Sequence, residues 1–289
     1  MHRTTGSRRW LPVAAAAAAV VVIALVAATY LTPRPRTNVG SQPTAPTTTA
    51  PVRTAPPTVV VPTANVPDVG TIQGLVPLNQ AVNGMVAASA NAAPMTLGAD
   101  ELLYQRSDWY EVDPGPGTPE GGRIDLTWYD PEGFAILRMI RNGHDVGNAP
   151  SGELGFSHPT PAWLAQVSTD PVQLYAVFAA MNANTKNGGD RYVSKEIIQV
   201  FRAYGPMLPP GLRAALFRVL GMVQGEEVRQ VTVDGHTYYG FMDTSSARPE
   251  FAGYLLCDPA TGQAVGIRYR TGDIELWHFA AVDSVDEMP

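Results

Sequence analysis

The chain has 289 residues, of which 45% are hydrophobic and 16% charged, a composition that fits a globular domain with a buried core. Three of its 20 basic residues, Arg3, Arg8 and Arg9, precede an apolar run that ends at Leu31. Beyond that residue, 17 basic and 26 acidic side chains leave a charge of about −9. Because nucleic-acid binding needs a clustered positive field, this balance argues against a nucleic-acid partner.

The N-terminal region predicts a membrane anchor. Residues 1–9 form a short basic segment, and residues 10–31 are an uncharged apolar run of 22 residues, where about 20 suffice to cross a membrane as a helix. The arginines before the run favour a single-pass protein with a cytoplasmic N-terminus. A signal peptide cleaved after Val26-Ala27-Ala28 is the alternative, although the run is longer than such peptides usually carry. Both readings place the rest of the chain outside the cytoplasm.

Residues 32–68 predict a disordered linker. Thr32–Pro67 contains nine prolines, nine threonines and no acidic residue. Such a segment buries too little apolar surface to offset its ordering entropy, and its prolines keep it extended. We therefore expect a stalk that holds the main domain away from the membrane.

The main domain is predicted over residues 69–283, followed by an acidic tail, residues 284–289, that is expected to fray. Helical spacing of apolar residues predicts a first helix at Leu78–Ala90. Alternation predicts strands at Glu101–Val112 and Arg123–Tyr129, with Phe134–Arg141 as a hairpin partner. The glycine-rich segment Asn142–His158 reads as a loop.

Three striped helices are predicted next. Asp170 is placed to cap the first, with Pro171 at its first position and Gln173 suited to a capping box. Ser194 is expected to cap the second. The third helix, within Leu208–Leu220, has the most regular apolar spacing. The stripes are Leu174, Val177, Phe178 and Met181; Ile197, Phe201 and Tyr204; and Leu212, Ala215, Leu216, Val219, Leu220 and Val223.

A second block of strands completes the domain. Val228–Val233 and His236–Phe241 flank Asp234-Gly235, which is a strong hairpin signal. Further strands are expected at Phe251–Cys257, Gln263–Arg270 and Ile274–Phe279. Runs of strands and runs of helices joined by hairpins predict an α+β fold, an antiparallel sheet covered by three or four helices.

The residues suggest no complete catalytic, metal or cofactor site. No histidine is spaced for metal binding with a second histidine or a cysteine. Ser157-His158 lacks the Gly-x-Ser-x-Gly elbow of a hydrolase, so only a convergence of Ser157, His158 and Asp170 would support one. Cys257, the only cysteine, follows two leucines, which favours a buried thiol over a nucleophile or an intermolecular disulfide.

Aromatic residues concentrate in the predicted strands. The plain interpretation is a core beneath the helices, and the functional alternative is an apolar cavity between sheet and helices that suits an acyl chain. The side chains predicted to line such a cavity are Trp128, Tyr238, Phe241, Tyr254, Tyr269 and Trp277.

Three segments resemble a known family. Val167-Ser168-Thr169-Asp170-Pro171, the proline-rich helix start Leu208–Leu216 and the turn Asp258–Gly262 are similar to those of actinobacterial membrane-anchored proteins of uncharacterised function, often encoded with extracytoplasmic sigma factors. The likeness spans residues 161–270, and weakly the hairpin from Trp128 to Gly133. It implies an exported domain with a lipoprotein-carrier-like fold, a curved antiparallel sheet closed by helices. Residues 1–9 are too few to fold against a sigma factor, so a direct anti-sigma role is not expected.

We therefore expect a non-enzymatic, membrane-anchored extracytoplasmic domain that binds an apolar ligand, a lipoprotein or an envelope partner. The alternatives are a regulatory protein–protein module in envelope-stress or sigma-factor signalling, and an uncharacterised hydrolase.

Overall fold

The computed structural model describes residues 67–68, 71–112, 122–132, 135–150, 155–156, 159–181, 192–243 and 252–289. All of these belong to the second of two units into which the chain divides, Pro56–Pro289. Within the described ranges no helix has the length and apolarity needed to cross a membrane. The predicted anchor at 10–31 and the linker up to residue 66 lie outside them.

The domain consists of one ten-stranded sheet and five α-helices within the described ranges. Every neighbouring pair of strands is antiparallel, in the order β1-β6-β7-β8-β9-β10-β2-β3-β4-β5, so the predicted α+β class with an antiparallel sheet is confirmed. The strands are β1 (Ile72–Val76), β2 (Leu102–Tyr110), β3 (Arg123–Tyr129), β4 (Ile136–Arg141), β5 (His144–Ala149), β6 (Val228–Val233), β7 (His236–Met242), β8 (Gly253–Cys257), β9 (Ala264–Tyr269) and β10 (Ile274–Val282). The helices are α1 (Leu78–Asn91), α2 (Pro161–Leu164), α3 (Pro171–Met181), α4 (Val193–Tyr204) and α5 (Pro210–Leu220), with a 3-10 turn at Gly205–Met207.

Two tight turns have the same backbone geometry. Asp234 and Gly235 join β6 to β7, as predicted, with φ angles of 49° and 77°. Asn142 and Gly143 show the same two angles between β4 and β5. Positive φ at both central residues is the requirement of a type I′ hairpin. The prediction of a loop over residues 142–158 was therefore wrong at its start, because Asn-Gly is itself a hairpin signal.

Two other elements were not predicted, for physical reasons. Strand β1 has no clear alternation and a bulge between Ile72 and Leu75, and its pairing partner β6 lies about 150 residues away in the sequence. Helix α2 has four residues, too few to show a helical period, and Thr160 caps it by accepting from the N–H of Trp163 at 3.1 Å.

One face of the sheet, here called the helix face, packs against the helices. Its buried side chains and those of the helices form the helix-face core. This core includes Leu174, Phe178, Ile197, Phe201, Tyr204, Leu216, Phe217, Phe241, Leu255, Cys257, Ile267 and Trp277. The stripes predicted for α4 and α5 are buried throughout, and so are Leu174 and Phe178 of α3. Met181 is 46% exposed, since α3 ends at that residue.

The two predicted helix caps have different outcomes. Asp170 does cap α3, because its carboxylate accepts from the N–H of Val172 at 2.8 Å. Ser194 does not cap α4. That helix begins one residue earlier, at Val193, and Ser194 is buried in its first turn.

The opposite face of the sheet carries two smaller buried clusters. The Trp128 cluster comprises Tyr104, Ile124, Leu126, Trp128, Ile140 and Val282. The Leu256 cluster comprises Tyr110, Val231, Val233, Leu256 and Ile274. Both faces of the sheet therefore bury apolar side chains.

The C-terminal residues, which were expected to fray, are hydrogen-bonded beside the Trp128 cluster. The indole of Trp128 donates to the carbonyl of Glu287 at 3.1 Å. Arg138 donates to the carbonyl of Val285 at 3.1 Å and forms an ion pair with Asp286 at 3.0 Å. These contacts fix the segment on the opposite face.

We predict that Phe217→Ala lowers the free energy of unfolding by about 3–5 kcal/mol. Phe217 is fully buried, and its ring lies 5.0 Å from that of Phe201 and 5.7 Å from that of Phe241. Val172→Ala, at a side chain 64% exposed on α3, should change it by less than about 0.5 kcal/mol. Urea unfolding of the full chain measures both, and equal effects would contradict this packing.

Candidate functional site

The six aromatic side chains predicted to line one cavity are divided between the two faces of the sheet. On the helix face, Phe241 and Trp277 are buried and Tyr269 packs at the edge of the core. The remaining three, on the opposite face, are Trp128, Tyr238 and Tyr254.

Four of these six side chains are almost completely buried by neighbouring residues. The exposed fraction is 0% for Trp128, 1% for Phe241, 2% for Tyr254 and 5% for Trp277. The hydroxyl of Tyr254 donates to Glu227 at 3.2 Å. The structure therefore buries four of the six, leaves Tyr238 and Tyr269 partly exposed, and does not arrange the set around one shared space.

An open groove of about 500 Å³ lies elsewhere, between α1 and α5. Its lining combines apolar and polar residues. The lining residues are Leu78, Asn79, Val82, Asn83, Arg218 and Gly221.

A polar group beneath α4 has more of the features of a binding site. We call it the Trp109 cluster, and it consists of Trp109, Arg123, Arg202, Tyr269 and Glu275. Tyr269 stacks on Trp109 with ring centroids 5.9 Å apart. The guanidinium carbons of Arg123 and Arg202 lie 4.5 and 5.5 Å from the centre of the same indole. Both arginine side chains are 32% exposed, so the cluster reaches the surface.

Strand register builds this cluster. Glu275 lies directly opposite Trp109 on β2 and Ile267 on β9, and Trp109 lies opposite Arg123 on β3. A carboxylate thus stands in a row of mostly apolar and aromatic side chains on the helix face. Arg202 of α4 completes the group and approaches Glu275 Oε1 to 2.8 Å.

Several polar atoms in the cluster are buried without a hydrogen-bond partner. They include Nε1 of Trp109 and Nε of Arg123, whereas the Glu275 carboxylate is paired with Arg202 at 2.8 Å. Buried polar groups in native proteins are usually paired. Their convergence therefore points to a ligand or water that supplies acceptors to the N–H groups.

The electrostatic balance of the cluster is close to neutral. Burial raises the pKa of Glu275, while the guanidinium of Arg202 and the indole of Trp277 lower it. Arg123 pairs with Asp125 at 3.4 Å, and Asp125 also meets Arg141 at 3.2 Å. A site with cations and a carboxylate side by side favours a polar or zwitterionic group over a strongly charged anion.

The opposite face carries a histidine–aspartate pair that is not arranged for nucleophilic catalysis. Nε2 of His278 lies 3.5 Å from Asp108, whose other oxygen is 2.6 Å from Nε of Arg106. The Tyr110 hydroxyl interacts with Asp108, and burial and the Asp108 carboxylate raise the pKa of Tyr110 to about 12. A phenol so hard to ionise is a poor nucleophile.

The convergence of Ser157, His158 and Asp170 that would support a hydrolase stays a prediction. Ser157 and His158 lie outside the described ranges, and the carboxylate of Asp170 is occupied in capping α3. A search of the described residues also shows no group of three metal-binding side chains. Cys257 is fully buried, and burial raises its pKa, as expected for a structural thiol.

Glu226 and Glu227 are neighbours with opposite electrostatic environments. Both oxygens of Glu226 are buried without a hydrogen bond, and burial and the Asp243 carboxylate raise its pKa well above 4.5. Glu227 accepts from Arg229 and Tyr254, which hold its pKa below 4.5 despite partial burial.

No sequence pattern had marked the Trp109 cluster as a site. The sequence did contain one signal for it. By strand alternation, Glu275 shares a face with Trp277 and Phe279, which indicates a carboxylate that faces the core. Its meeting with Arg202 and Trp109 depends on the strand order.

Comparisons with known proteins do not identify the chain: no family model, no curated protein and no solved structure matches it.

We predict opposite pH dependences for Glu226→Gln and Glu227→Gln. Below pH 4.5 Glu226 is protonated in both folded and unfolded chains, whereas at higher pH its ionisation destabilises the fold. Glu226→Gln should therefore gain stability over wild type as pH rises from 4.5. The Glu227 carboxylate stabilises the fold above pH 4.5 and loses that effect as pH falls through its lowered pKa.

Glu227→Gln should accordingly be less stable than wild type near neutral pH and approach it in acid. Urea unfolding at several pH values gives both curves. Parallel curves for the two variants would show that the two carboxylates do not differ in this way.

Proposed function

We propose that the chain is a non-enzymatic, membrane-tethered domain outside the cytoplasm that binds a lipoprotein or another envelope protein through the Trp109 cluster. The observation that carries this proposal is the pair of buried, unpartnered donors, Trp109 Nε1 and Arg123 Nε, beside two partly exposed guanidinium groups. Polypeptide carbonyl oxygens are the acceptors that such donors fit.

The tether rests on the sequence. The uncharged run at residues 10–31 is long enough to span a membrane, and the proline- and threonine-rich segment that follows suits a stiff spacer. A domain held in this way meets partners that are anchored in the same envelope.

The lipoprotein-carrier-like form is supported by a charge that acts between distant strands. Tyr110 lies on β2 and Asp234 follows β6, and these two strands are five places apart in the sheet order. In a flat sheet they would be about 24 Å apart at a spacing of about 4.8 Å. The Asp234 carboxylate nevertheless contributes to the raised pKa of Tyr110. We infer a strongly curved sheet, as the family resemblance implies.

Aromatic rings add a second kind of contact at the proposed site. The stacked pair of Trp109 and Tyr269 offers flat apolar surface, and arginine and aromatic residues are enriched where binding energy concentrates. A regulatory module in envelope-stress or sigma-factor signalling would use the same surface on a membrane protein.

An apolar ligand is the second candidate, favoured by the groove between α1 and α5. Its volume of about 500 Å³ is within the range of small-molecule sites. Leu78 and Val82 offer apolar surface, and Arg218 could contact an anionic head group.

The first proposal predicts that Trp109→Phe weakens partner capture without destabilising the fold. Phenylalanine keeps an aromatic ring for Tyr269 but removes an N–H that has no partner in the fold. One lost hydrogen bond is worth about 0.5–1.5 kcal/mol, or about two- to twelvefold in affinity. The measurement is photo-crosslinking of the full chain in membranes from a benzophenone residue at the exposed position 111.

The control places the same probe at Val146 on β5, the far edge strand, where no specific adduct is expected. An adduct at position 111 whose yield is the same in wild type and Trp109→Phe would contradict the proposal. The identity of the adduct distinguishes a lipoprotein from a signalling partner.

The second candidate predicts lipid that copurifies with the full chain and is lost on filling the groove. Asn83→Trp places a bulky ring at a lining position, whereas Ala90→Trp adds the same ring to an exposed position of α1 outside the groove. Native mass spectrometry should show bound lipid in wild type and Ala90→Trp only. Lipid-free wild type, or lipid retained by Asn83→Trp, would refute groove binding.

A further inference from the structure

Arg213 of α5 is a charged side chain in an unusual place. It is fully buried, with 0% of its surface exposed, among the apolar residues of that helix. Arginine is almost never fully buried unless it is paired. The hydrogen-bond partners of its guanidinium therefore decide how the protein tolerates this buried charge.

Only one of the three guanidinium nitrogens is used. Nη2 donates to the carbonyl of Leu208 at 3.0 Å and lies 3.5 Å from that of Pro206. Nε and Nη1 are buried without a hydrogen-bond partner, which leaves three N–H donors unmatched. No described carboxylate offsets the charge, and burial alone lowers the pKa of Arg213.

The surrounding backbone adds positive potential. Arg213 lies in the N-terminal part of α5, whose side chains lean toward the helix start. That end of a helix carries the positive pole of the peptide dipoles. Pro209, the residue before the first turn of α5, provides no side-chain cap.

A buried water molecule alone would not compensate the charge of Arg213. A buried water could accept hydrogen bonds from Nε or Nη1, but it would leave the positive charge uncompensated. A buried charge is tolerated when an opposite charge meets it with good hydrogen-bond geometry.

We propose that Arg213 forms the base of a binding site for one small oxyanion group, a carboxylate or a phosphate, at the N-terminal turn of α5. Nε and Nη1 of Arg213 donate to the anion, and the helix dipole adds to the attraction. The anion is either a free ion or the charged end of a larger molecule. This site is separate from the Trp109 cluster and does not depend on the function proposed there.

The test is thermal unfolding of the full chain in detergent, in sodium chloride, sodium phosphate or sodium acetate at equal ionic strength. A ligand that binds only the folded state raises the melting temperature with its concentration. Wild type should be stabilised by phosphate or acetate relative to chloride. Arg213→Met should melt at or above wild type in chloride, because it removes an unpaired buried charge, and should not respond to either oxyanion.

Arg270→Met is the matched control. It removes one positive charge from an exposed arginine that follows β9, outside both proposed sites, and should keep the oxyanion response. If Arg213→Met fails to fold, Arg213→Lys replaces it. Lysine retains the charge without the planar fork, so its response should need several-fold more phosphate.

Three results would overturn the proposal. They are a wild-type melting temperature that is the same in all three salts, an unchanged response in Arg213→Met, and an unchanged phosphate dependence in Arg213→Lys. Denaturing the purified wild type should also release about one equivalent of oxyanion, as a single site requires. Recovery in the aqueous phase identifies a free ion, and recovery in organic solvent identifies a lipid head group.

Discussion

On the opposite face of the sheet, one row of side chains alternates between glycine and leucine as it crosses four strands. Gly240, Leu256, Gly266 and Leu276 lie directly opposite one another from β7 to β10. A Cβ at Gly266 would stand 2.1 Å from the carbonyl oxygen of Glu275, and backbone cannot move aside cheaply. At Gly240 a Cβ would stand 2.9 Å from side-chain atoms of Tyr254 and Val231. The two glycines therefore allow the neighbouring strands to approach closely, and the Leu256 cluster forms on this face from described strand residues alone.

The sequence separation of the interacting residues explains which predictions succeeded. Local chemistry marked the turn at Asp234-Gly235, the cap at Asp170 and the stripes of α4 and α5, because each depends on residues within one or two turns of the chain. Strand β1 was not predicted because its pairing is long-range. Strand β5 was not predicted although Asn142-Gly143 is a hairpin signal in the sequence.

The division of the aromatic residues could not be read from the sequence. The alternation of side chains along a strand divides them into two sets, one for each face of the sheet. When both sets are apolar, the alternation does not show which set faces the helices. Trp128 and Trp277 both occur in predicted strands with alternating side chains. The strand register places Trp128 beside Tyr104 on the opposite face and Trp277 in the helix-face core. The Trp109 cluster likewise requires β2, β3, β10 and α4 to be adjacent, which only the strand order of the sheet provides.

The two faces also differ in how their polar groups are satisfied. On the opposite face, the charged side chains at Asp108, Glu227 and Arg138 have ion-pair partners. Among the described residues, the buried polar atoms without partners lie instead on the helix face, as at Trp109 and Arg123, on the helices, as at Arg213, or just before β6, as at Glu226. Unmatched buried donors oppose folding, so they persist only where packing compensates or where another molecule completes them. Because the apolar packing of the helix-face core is extensive, that face can tolerate polar groups that the fold itself leaves unmatched.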